Sequence, residues 1–528
     1  MRVSHKRSAL YLALAATSLL ALSEDALAVP SYSRRYGEEC STCHTLWGAL
    51  TPAGTTFKLS GYRAIFGKEL TPITPDISIS KGVTIPATLP LSFVTGVGIE
   101  SRKETRSTSG AAGSTSVSSS GTSLALEDAS IFMTSPLGKH LSAFVEFPMY
   151  ETRAWEFTPT GNYEARFNQP TRQLKFGTES PTFEVAKFFW NNVAGDSMPR
   201  DSVNLLAGIT HLPLAYSPGK VRLSVNQYLV YERTALELIS PRKVGNGVLA
   251  GDSNDLLFRL SEPQVMAEVY GMLTFGKPVT DVGKPDTLWG EYHLGMSNGS
   301  NAKAANNASK DFYGRFVARY KGQSLGFFGV VSPDTYNDDV RNAGTLESNA
   351  TRNTVGYIPG TGIMSGLQNA NKSTRFGPDL TLSLAPFGIP LSLENQYLIN
   401  KETNPTGFGQ AFKWRGGFSQ LNWRINRTSI AYLRYDWLKG DAFDDTMTTL
   451  NGATGITRTT PREKDIVIGY QTLLDQNIKF VGEYRSHRFD DSASGPLSAN
   501  AAAALGTTAI NTARLKDNGL TLRLMVGF

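Results

Sequence analysis

The chain has 528 residues and a formal net charge of +6; 40% of its residues are hydrophobic and only 19% are charged. The charged fraction is below the ~25% of average soluble domains. The basic residues form no concentrated run, which argues against a nucleic-acid partner. Glycine (50), tyrosine (20) and phenylalanine (27) are plentiful. This mixture favours a long sheet with one apolar face and aromatic rims over a large dry core.

Residues 1–28 have the layout of a signal peptide that is removed on export. Basic residues near the start precede an uncharged apolar run from Ala9 to Leu22, and Ala26-Leu27-Ala28 offers small residues for cleavage. A retained membrane anchor is the alternative, but the run is short of the ~20 residues that span a bilayer. No later segment has the pattern of a membrane helix. A membrane location would therefore require a closed barrel, since lipid leaves no partner for unpaired backbone groups.

Both cysteines of the chain lie in Cys40-Ser41-Thr42-Cys43-His44. This C-x-x-C-H pattern is typical of c-type haem attachment, in which two thiols form thioethers to one porphyrin and the adjacent histidine binds its iron. A Cys40–Cys43 disulfide, a zinc site lacking a fourth ligand and a thioredoxin-type redox pair lacking its βαβ setting remain as alternatives. The prediction is one covalently bound haem c, with His44 as the proximal iron ligand.

The stretch from Pro30 to Tyr62 resembles the start of the fused monohaem cytochrome–porins, a group that includes outer-membrane cytochromes that oxidise ferrous iron. The residues that carry the resemblance are Pro30, Arg34, Gly37, Cys40, Cys43, His44, Leu50-Thr51-Pro52, Gly54, Phe57-Lys58 and Gly61-Tyr62. The resemblance implies Fe(II) as the extracellular electron donor. We divide the chain into the signal peptide (1–28), a monohaem cytochrome c segment (29–82) and an outer-membrane β-barrel (83–528).

The last segment of the chain has the clearest strand pattern. Leu520, Leu522, Leu524 and Val526 alternate with residues such as Arg523, which falls on the opposite face. Alternation of this kind over ~10 residues is the signature of a transmembrane β-strand with a lipid-facing and a lumen-facing side. An edge strand of a soluble β-protein is the alternative.

Short turns and long polar connections alternate along the rest of the chain. Hairpins are predicted for 312–320 with 325–331, 379–384 with 391–398, 418–424 with 429–437, and 466–474 with 478–489. Long connections are expected at Arg102–Gly121, Ser297–Lys310, Pro333–Ser373, Lys439–Lys464 and Asp490–Lys516. The predicted fold is all-β: a transmembrane antiparallel barrel of about 16 strands, beginning near Leu91, with Gly161–His211 not divided into strands. Short turns are expected on the periplasmic side, and the cytochrome segment is expected to plug or cap the lumen.

Haem iron in an electron carrier usually takes two axial ligands, yet Val29–Ile85 contains no second histidine and no methionine. The alternation of faces along strands places Glu146, Glu291, Lys479, Glu483 and Arg485 in the lumen, together with three candidate sixth ligands: His140, His293 and His487. Each of these histidines is also explained as a hydrogen-bonded wall residue. Lys58, Tyr62 or an open position are the remaining alternatives.

A haem fused to an outer-membrane barrel predicts electron transfer between an extracellular donor and periplasmic carriers of a Gram-negative bacterium. One haem cannot carry electrons far, so a periplasmic electron-carrier cytochrome is the expected partner. The competing function is a diffusion porin with a haem-bearing plug or sensor, in which Arg315, Arg319 and Arg434 would suit anion passage. A haem enzyme such as a peroxidase is a third possible class. Such an enzyme needs an open iron position, and no sixth ligand is found close to the motif in sequence.

Overall fold

The structure is a computed structural model. It describes residues 30–46, 49–81, 83–110, 113–150, 156–157, 163–164, 185–216, 223–235, 238, 259–277, 280, 287–299, 310–335, 370–405, 411–448, 454–475, 477–492 and 512–527. Within these residues, sixteen strands close into one barrel. Their bounds are β1 Leu91–Gly110, β2 Gly113–Pro136, β3 Leu141–Tyr150, β4 Val185–Trp190, β5 Asn204–Thr210, β6 Gln264–Leu273, β7 Trp289–Ser297, β8 Asp311–Tyr320, β9 Gln323–Thr335, β10 Ala370–Ser383, β11 Leu391–Glu402, β12 Phe412–Arg424, β13 Ser429–Gly440, β14 Pro461–Asp475, β15 Ile478–Ser492 and β16 Thr512–Gly527.

Every barrel strand is antiparallel to its chain neighbour, and β16 pairs with β1 to close the ring, with Leu524 opposite Val97. The predicted count of sixteen strands is therefore confirmed, as is a first strand that begins at Leu91. The stretch Gly161–His211, which the sequence left undivided, contains β4 and β5. Closure leaves no unpaired strand edge, which is the property that lets a sheet cross lipid.

The strands alternate between an apolar outer face and a polar lumen. In β7, Leu294 and Met296 are exposed whereas Glu291 is buried. In β16, Leu520 and Leu524 are exposed whereas Thr521 is buried. The predicted lumen positions on other strands are also confirmed, because their side chains are enclosed: Glu146, Lys479, Glu483 and His487.

Turn lengths divide the barrel into two ends. Short turns at residues 137–140, 321–322, 425–428 and 476–477 lie at one end, here called the short-turn end. The connections at the other end are long, for example 151–184, 211–263, 336–369 and 493–511. All four predicted hairpins and the alternation of short and long connections are thus confirmed. Because β1 is the first strand and starts at the short-turn end, the residues before it enter the barrel from there.

One expected loop is wrong. Arg102–Gly121 is mostly strand, because β1 and β2 remain paired from Arg102↔Gly121 to Gly110↔Gly113. Hydroxyl groups link the two strands, as in the 3.0 Å contact between Thr105 Oγ1 and Ser118 Oγ. A Ser/Thr-rich hairpin whose strands are linked by hydroxyl groups lacks apolar alternation, so the pattern used to find strands did not detect it. The expected loop Lys439–Lys464 likewise contains a small hairpin, Phe443–Thr448 with Thr454–Thr459.

The described helices are short: α1 Pro30–Tyr36, α2 Cys40–Cys43, α3 Pro52–Leu59 and α4 Leu229–Glu232, with 3₁₀ turns at Gly195–Ser197 and Ala385–Phe387. None of them is long and apolar enough to cross a membrane. Further two-stranded pairs are Ala64–Ile65 with Lys68–Glu69, Ile77–Ser80 with Val83–Ile85, and Glu156–Phe157 with Tyr163–Glu164. Helices α1 to α3 belong to the N-terminal segment (residues 30–70), and α4 belongs to the lumen-crossing segment (residues 223–235).

Candidate functional site

The Cys40–His44 turn is one turn of helix followed by an extended residue. The backbone N–H of His44 donates to the carbonyl of Cys40 at 2.8 Å, which closes the turn. Both cysteines are free thiols. Burial raises the pKa of the Cys40 thiol to about 12 and that of the Cys43 thiol to about 11. The local fold therefore presents two protonated thiols and an imidazole on five consecutive residues.

Helix α3 packs directly on this turn. The Thr51 hydroxyl caps α3 by accepting from the Gly54 N–H at 3.1 Å, and it donates to the carbonyl of Thr42 at 2.6 Å. A Cβ atom on Gly54 would lie only 2.1 Å from the carbonyl oxygen of Cys43. Glycine at position 54 is therefore required by the close approach of the two backbones.

The imidazole of His44 is held neutral. Its Nδ1 is enclosed and has no hydrogen-bond partner among the described residues. Burial, with a smaller contribution from the charge of Lys479 on β15, lowers the pKa of His44 to about 4. Leu46 and Ala49, just beyond the turn, pack in an apolar cluster with Leu223, Ile430, Tyr432, Val467 and Leu473. The turn is thus fixed against the β13–β15 side of the barrel.

The other side of the N-terminal segment packs on β3 and β4 through aromatic rings. Tyr62 stacks on Tyr32 at a centroid distance of 5.1 Å and on Phe144 at 5.7 Å, and it meets Phe189 edge-on at 5.5 Å. Arg63 donates to the carbonyl of Lys139 at 2.7 Å. Because it touches both sides of the wall, the N-terminal segment lies inside the short-turn end of the lumen. That this segment is a cytochrome that plugs the lumen stays a prediction.

Lys58 of α3 reaches a polar region of the lumen. Burial lowers the pKa of Lys58, and the nearby carboxylates of Glu291 and Glu268 oppose that effect. The ammonium of Lys187 on β4 lies close by, 5.2 Å from the ring centroid of Phe144. Two cationic side chains from different elements thus share one region above the plug.

Two of the candidate sixth ligands are held by wall groups. His140 lies in the turn between β2 and β3 rather than on a strand, and its Nδ1 is 3.2 Å from the carbonyl of Asn191. His293 on β7 lies in the lumen as predicted, with Nδ1 2.8 Å from Glu268 Oε1. Its ring stacks on Tyr270 at 5.9 Å. These contacts match the wall-residue alternative.

The third candidate, His487 on β15, is more completely enclosed. Its Nδ1 is 2.5 Å from Asp465 Oδ1 and its Nε2 is 3.3 Å from Glu463 Oε1. Among the described residues, none of the three histidines makes a hydrogen bond or ring contact with the Cys40–His44 turn. The sixth ligand therefore stays a prediction. Within the same residues, no cluster of three His, Cys, Asp or Glu side chains has the geometry of a metal site.

The sequence analysis did not predict the lumen-crossing segment. The buried carboxylate of Glu483 on β15 accepts from Ser224 Oγ at 2.7 Å and from the N–H groups of Val225 and Asn226 at 3.0 and 3.1 Å. The signal that could have found this segment is Tyr228-Leu229-Val230-Tyr231, an apolar run inside a long connection. All four of these side chains are buried.

The three arginines considered for anion passage do face the lumen, but each is paired. Arg315 is 2.9 Å from Asp379, Arg319 is 3.0 Å from Glu291 and Arg434 is 3.1 Å from Asp436, in N···O distances. Their charges are therefore compensated by the wall itself, which weakens the expectation that they attract anions.

Comparisons with known proteins find resemblance in architecture only. The sequence matches no family model and no curated protein. Among solved structures, the outer membrane channel DcaP of Acinetobacter baumannii is 10% identical with a TM-score of 0.44, covering 86% of this chain and 100% of its own. The anion-selective porin from Comamonas acidovorans is 11% identical with a TM-score of 0.42, covering 83% of this chain and 100% of its own. Within the described residues, the chain itself closes a barrel of sixteen strands.

Proposed function

We propose that this chain is an outer-membrane barrel whose N-terminal segment carries one covalent haem c and transfers electrons between an extracellular donor and periplasmic carriers. The observation that carries the proposal is the position of the Cys40–His44 turn. It lies within the lumen at the short-turn end, which is the periplasmic end in barrels of this kind. A redox group there would be close to periplasmic carriers and separated from lipid by the wall.

The residues of the turn fit the group. Cys40 and Cys43 would hold it through thioethers, and His44 would bind the iron as a neutral imidazole, the form that ligates metals. Nδ1 of His44 has no partner among the residues that the structure describes, which is consistent with a ring whose position is completed by a further group. Bound haem would supply one-electron exchange. Wall and helix α3 would keep the turn in one orientation and restrict access of water.

An outer-membrane location follows from the same geometry. The outward face of the strands is apolar, as Phe312 and Phe316 on β8 illustrate with 59% and 53% exposure. Exposed large apolar side chains around a closed barrel are costly in water and favourable in lipid. Fe(II) remains the donor we propose, and a periplasmic cytochrome the acceptor.

The direct test uses the full-length protein, produced in cells competent in cytochrome c maturation, purified in detergent and oxidised. We expect a c-type spectrum and growth of the reduced α-band when Fe(II) is added. The matched control is the His44→Ala variant, which should keep the barrel but lose the wild-type spectrum. A c-type spectrum that is reduced by dithionite but not by Fe(II) would reject only the choice of Fe(II) as donor. Protein without covalent haem would reject the haem assignment itself.

A diffusion porin is the second candidate function. The porin-like barrel favours it by itself, because sixteen-stranded barrels leave an aqueous channel unless they are plugged, and it needs no haem. Conductance in planar bilayers separates the two candidates. The conduit should conduct ions weakly, because the N-terminal and lumen-crossing segments both enter the lumen, whereas a porin should conduct strongly.

A further inference from the structure

Two lysines in the lumen have no ion-pair partner in the part of the chain that the structure describes. Lys58 on α3 and Lys187 on β4 lie close enough for their like charges to interact. Among the described residues, neither ammonium makes a hydrogen bond or an ion pair. Lys187 is buried and lies over two rings, Phe144 at 5.2 Å and Phe189 at 5.4 Å. Adjacent cations in a region shielded from water are unfavourable unless an anion joins them.

The nearby carboxylates are already engaged. Glu268 accepts from the Tyr313 hydroxyl at 2.9 Å and lies 2.8 Å from His293 Nδ1. Glu291 is paired with Arg319 at 3.0 Å. These carboxylates attract the lysines at longer range, as the electrostatics of Lys58 shows, but they bind other partners directly. No described carboxylate therefore neutralises the lysine pair by direct contact, so binding of a further anion beside the two ammonium groups would be favourable.

The position of Lys58 connects this pair to the Cys40–His44 turn. Residues four apart on a helix lie on the same face, about 6 Å apart along the axis. Gly54 is the residue of α3 that contacts the carbonyl of Cys43, so Lys58 extends from the face of α3 that covers the turn. A group attached to Cys40 and Cys43 would lie beside this face.

We infer that Lys58 and Lys187 bind the carboxylates of the porphyrin attached at Cys40 and Cys43. Haem carries two propionate groups, and an ammonium is a suitable partner for a carboxylate in a site shielded from water. This inference rests on the proposed haem function and assigns the lysines a positioning and electrostatic role. A small carboxylate or phosphate solute in the lumen would offer the same chemistry, and the experiment distinguishes the two.

The test is the midpoint potential of the haem in the purified full-length protein, measured by spectroelectrochemistry over a range of pH. In Lys58→Met and Lys187→Met the propionate charge loses its partner, which favours ferric iron. We expect each variant to change the reduced-to-oxidised ratio at fixed potential about tenfold, a shift of about 59 mV to lower potential for one electron. Lys58→Arg should stay near the wild type. Lys81→Met is the control, because Lys81 is an exposed lysine of the same part of the chain.

The outcomes separate the two proposals. Covalent haem whose potential is the same in Lys58→Met, Lys187→Met, Lys81→Met and the wild type would overturn the inference and leave the haem function standing. Wild-type protein without covalent haem would overturn both. A wild-type potential that moves with added inorganic phosphate, while the Lys58→Met potential does not, would show that the lysines take mobile anions and would also overturn it. Barrel integrity in each variant is checked by far-ultraviolet circular dichroism.

Discussion

Two segments enter the same lumen and are held there by different forces. The N-terminal segment packs mainly through rings, with Tyr62 stacked between Tyr32 and Phe144. The lumen-crossing segment also buries rings such as Tyr228, but it has in addition a charged anchor, because Glu483 accepts from three consecutive residues, 224–226. This difference indicates which segment is suited to bind a further group. The N-terminal segment leaves His44 Nδ1 unpartnered among the described residues, whereas the lumen-crossing segment is anchored by a buried carboxylate that has several donors.

Removing both thiols should have the largest effect. In the double variant Cys40→Ala, Cys43→Ala we expect complete loss of covalent haem and an unchanged barrel, because no thioether can form. Haem staining of denatured protein on a gel is the measurement. Ser41→Ala is the matched control, since it changes an exposed position of the same turn without removing a thiol. Haem that survives denaturation in the double variant would contradict the assignment.

Glu483→Ala should release the other segment. The change leaves several donors of the lumen-crossing segment without their acceptor, at a cost of about 3 kcal/mol. We expect a larger single-channel conductance in planar bilayers and a lower midpoint of unfolding in urea. Glu483→Gln keeps the shape and part of the hydrogen bonding, so its conductance should lie between those of the wild type and Glu483→Ala. An unchanged conductance in Glu483→Ala would mean that this segment does not restrict the lumen.

Gly54→Ala should destabilise the N-terminal segment without changing the hydrogen bonds that Glu483 accepts. The new Cβ would overlap the carbonyl of Cys43, and overpacking of this kind costs about 2 kcal/mol. A lower melting temperature of the haem absorbance, with the barrel signal unchanged, is the expected result. Gly329→Ala is the control, because its Cβ would meet only ordinary contact at 3.7 Å. Equal stability of the two variants would contradict the close approach.

The smallest effects are expected from replacing one aromatic ring that anchors each of the two segments. Tyr228→Leu removes a stack on Phe418 at 3.8 Å and a guanidinium contact with Arg434 at 4.5 Å. Phe144→Leu removes a stack on Tyr62. Each change should cost about 1 kcal/mol and removes a cation–π contact; the Tyr228 change should cost more because its cation lies closer to the ring, at 4.5 Å against 5.2 Å for Lys187 over Phe144. Chemical unfolding in detergent measures both, and a larger loss for Phe144→Leu would reverse our ranking of the two anchors.

Much of the barrel could be predicted because its signal is local. Alternation in β16 and short turns such as 425–428 depend on residues close in sequence. The failure to predict strands at Arg102–Gly121 has the same origin, because this Ser/Thr-rich hairpin lacks the apolar alternation that marks the other strands. The histidines show the limit of this reasoning: alternation placed His293 and His487 in the lumen, but His140 lies in a turn.

The sequence by itself determined the local chemistry: the Cys40–His44 motif and a chain of alternating strands. Only the tertiary structure decided what meets in the lumen. Glu483 and Ser224 are separated by 259 positions, and Lys58 lies near Lys187 only because α3 enters the ring that β4 helps to close. Such contacts depend on strand register and on which segment enters the lumen, and neither is encoded in a pattern of neighbouring residues.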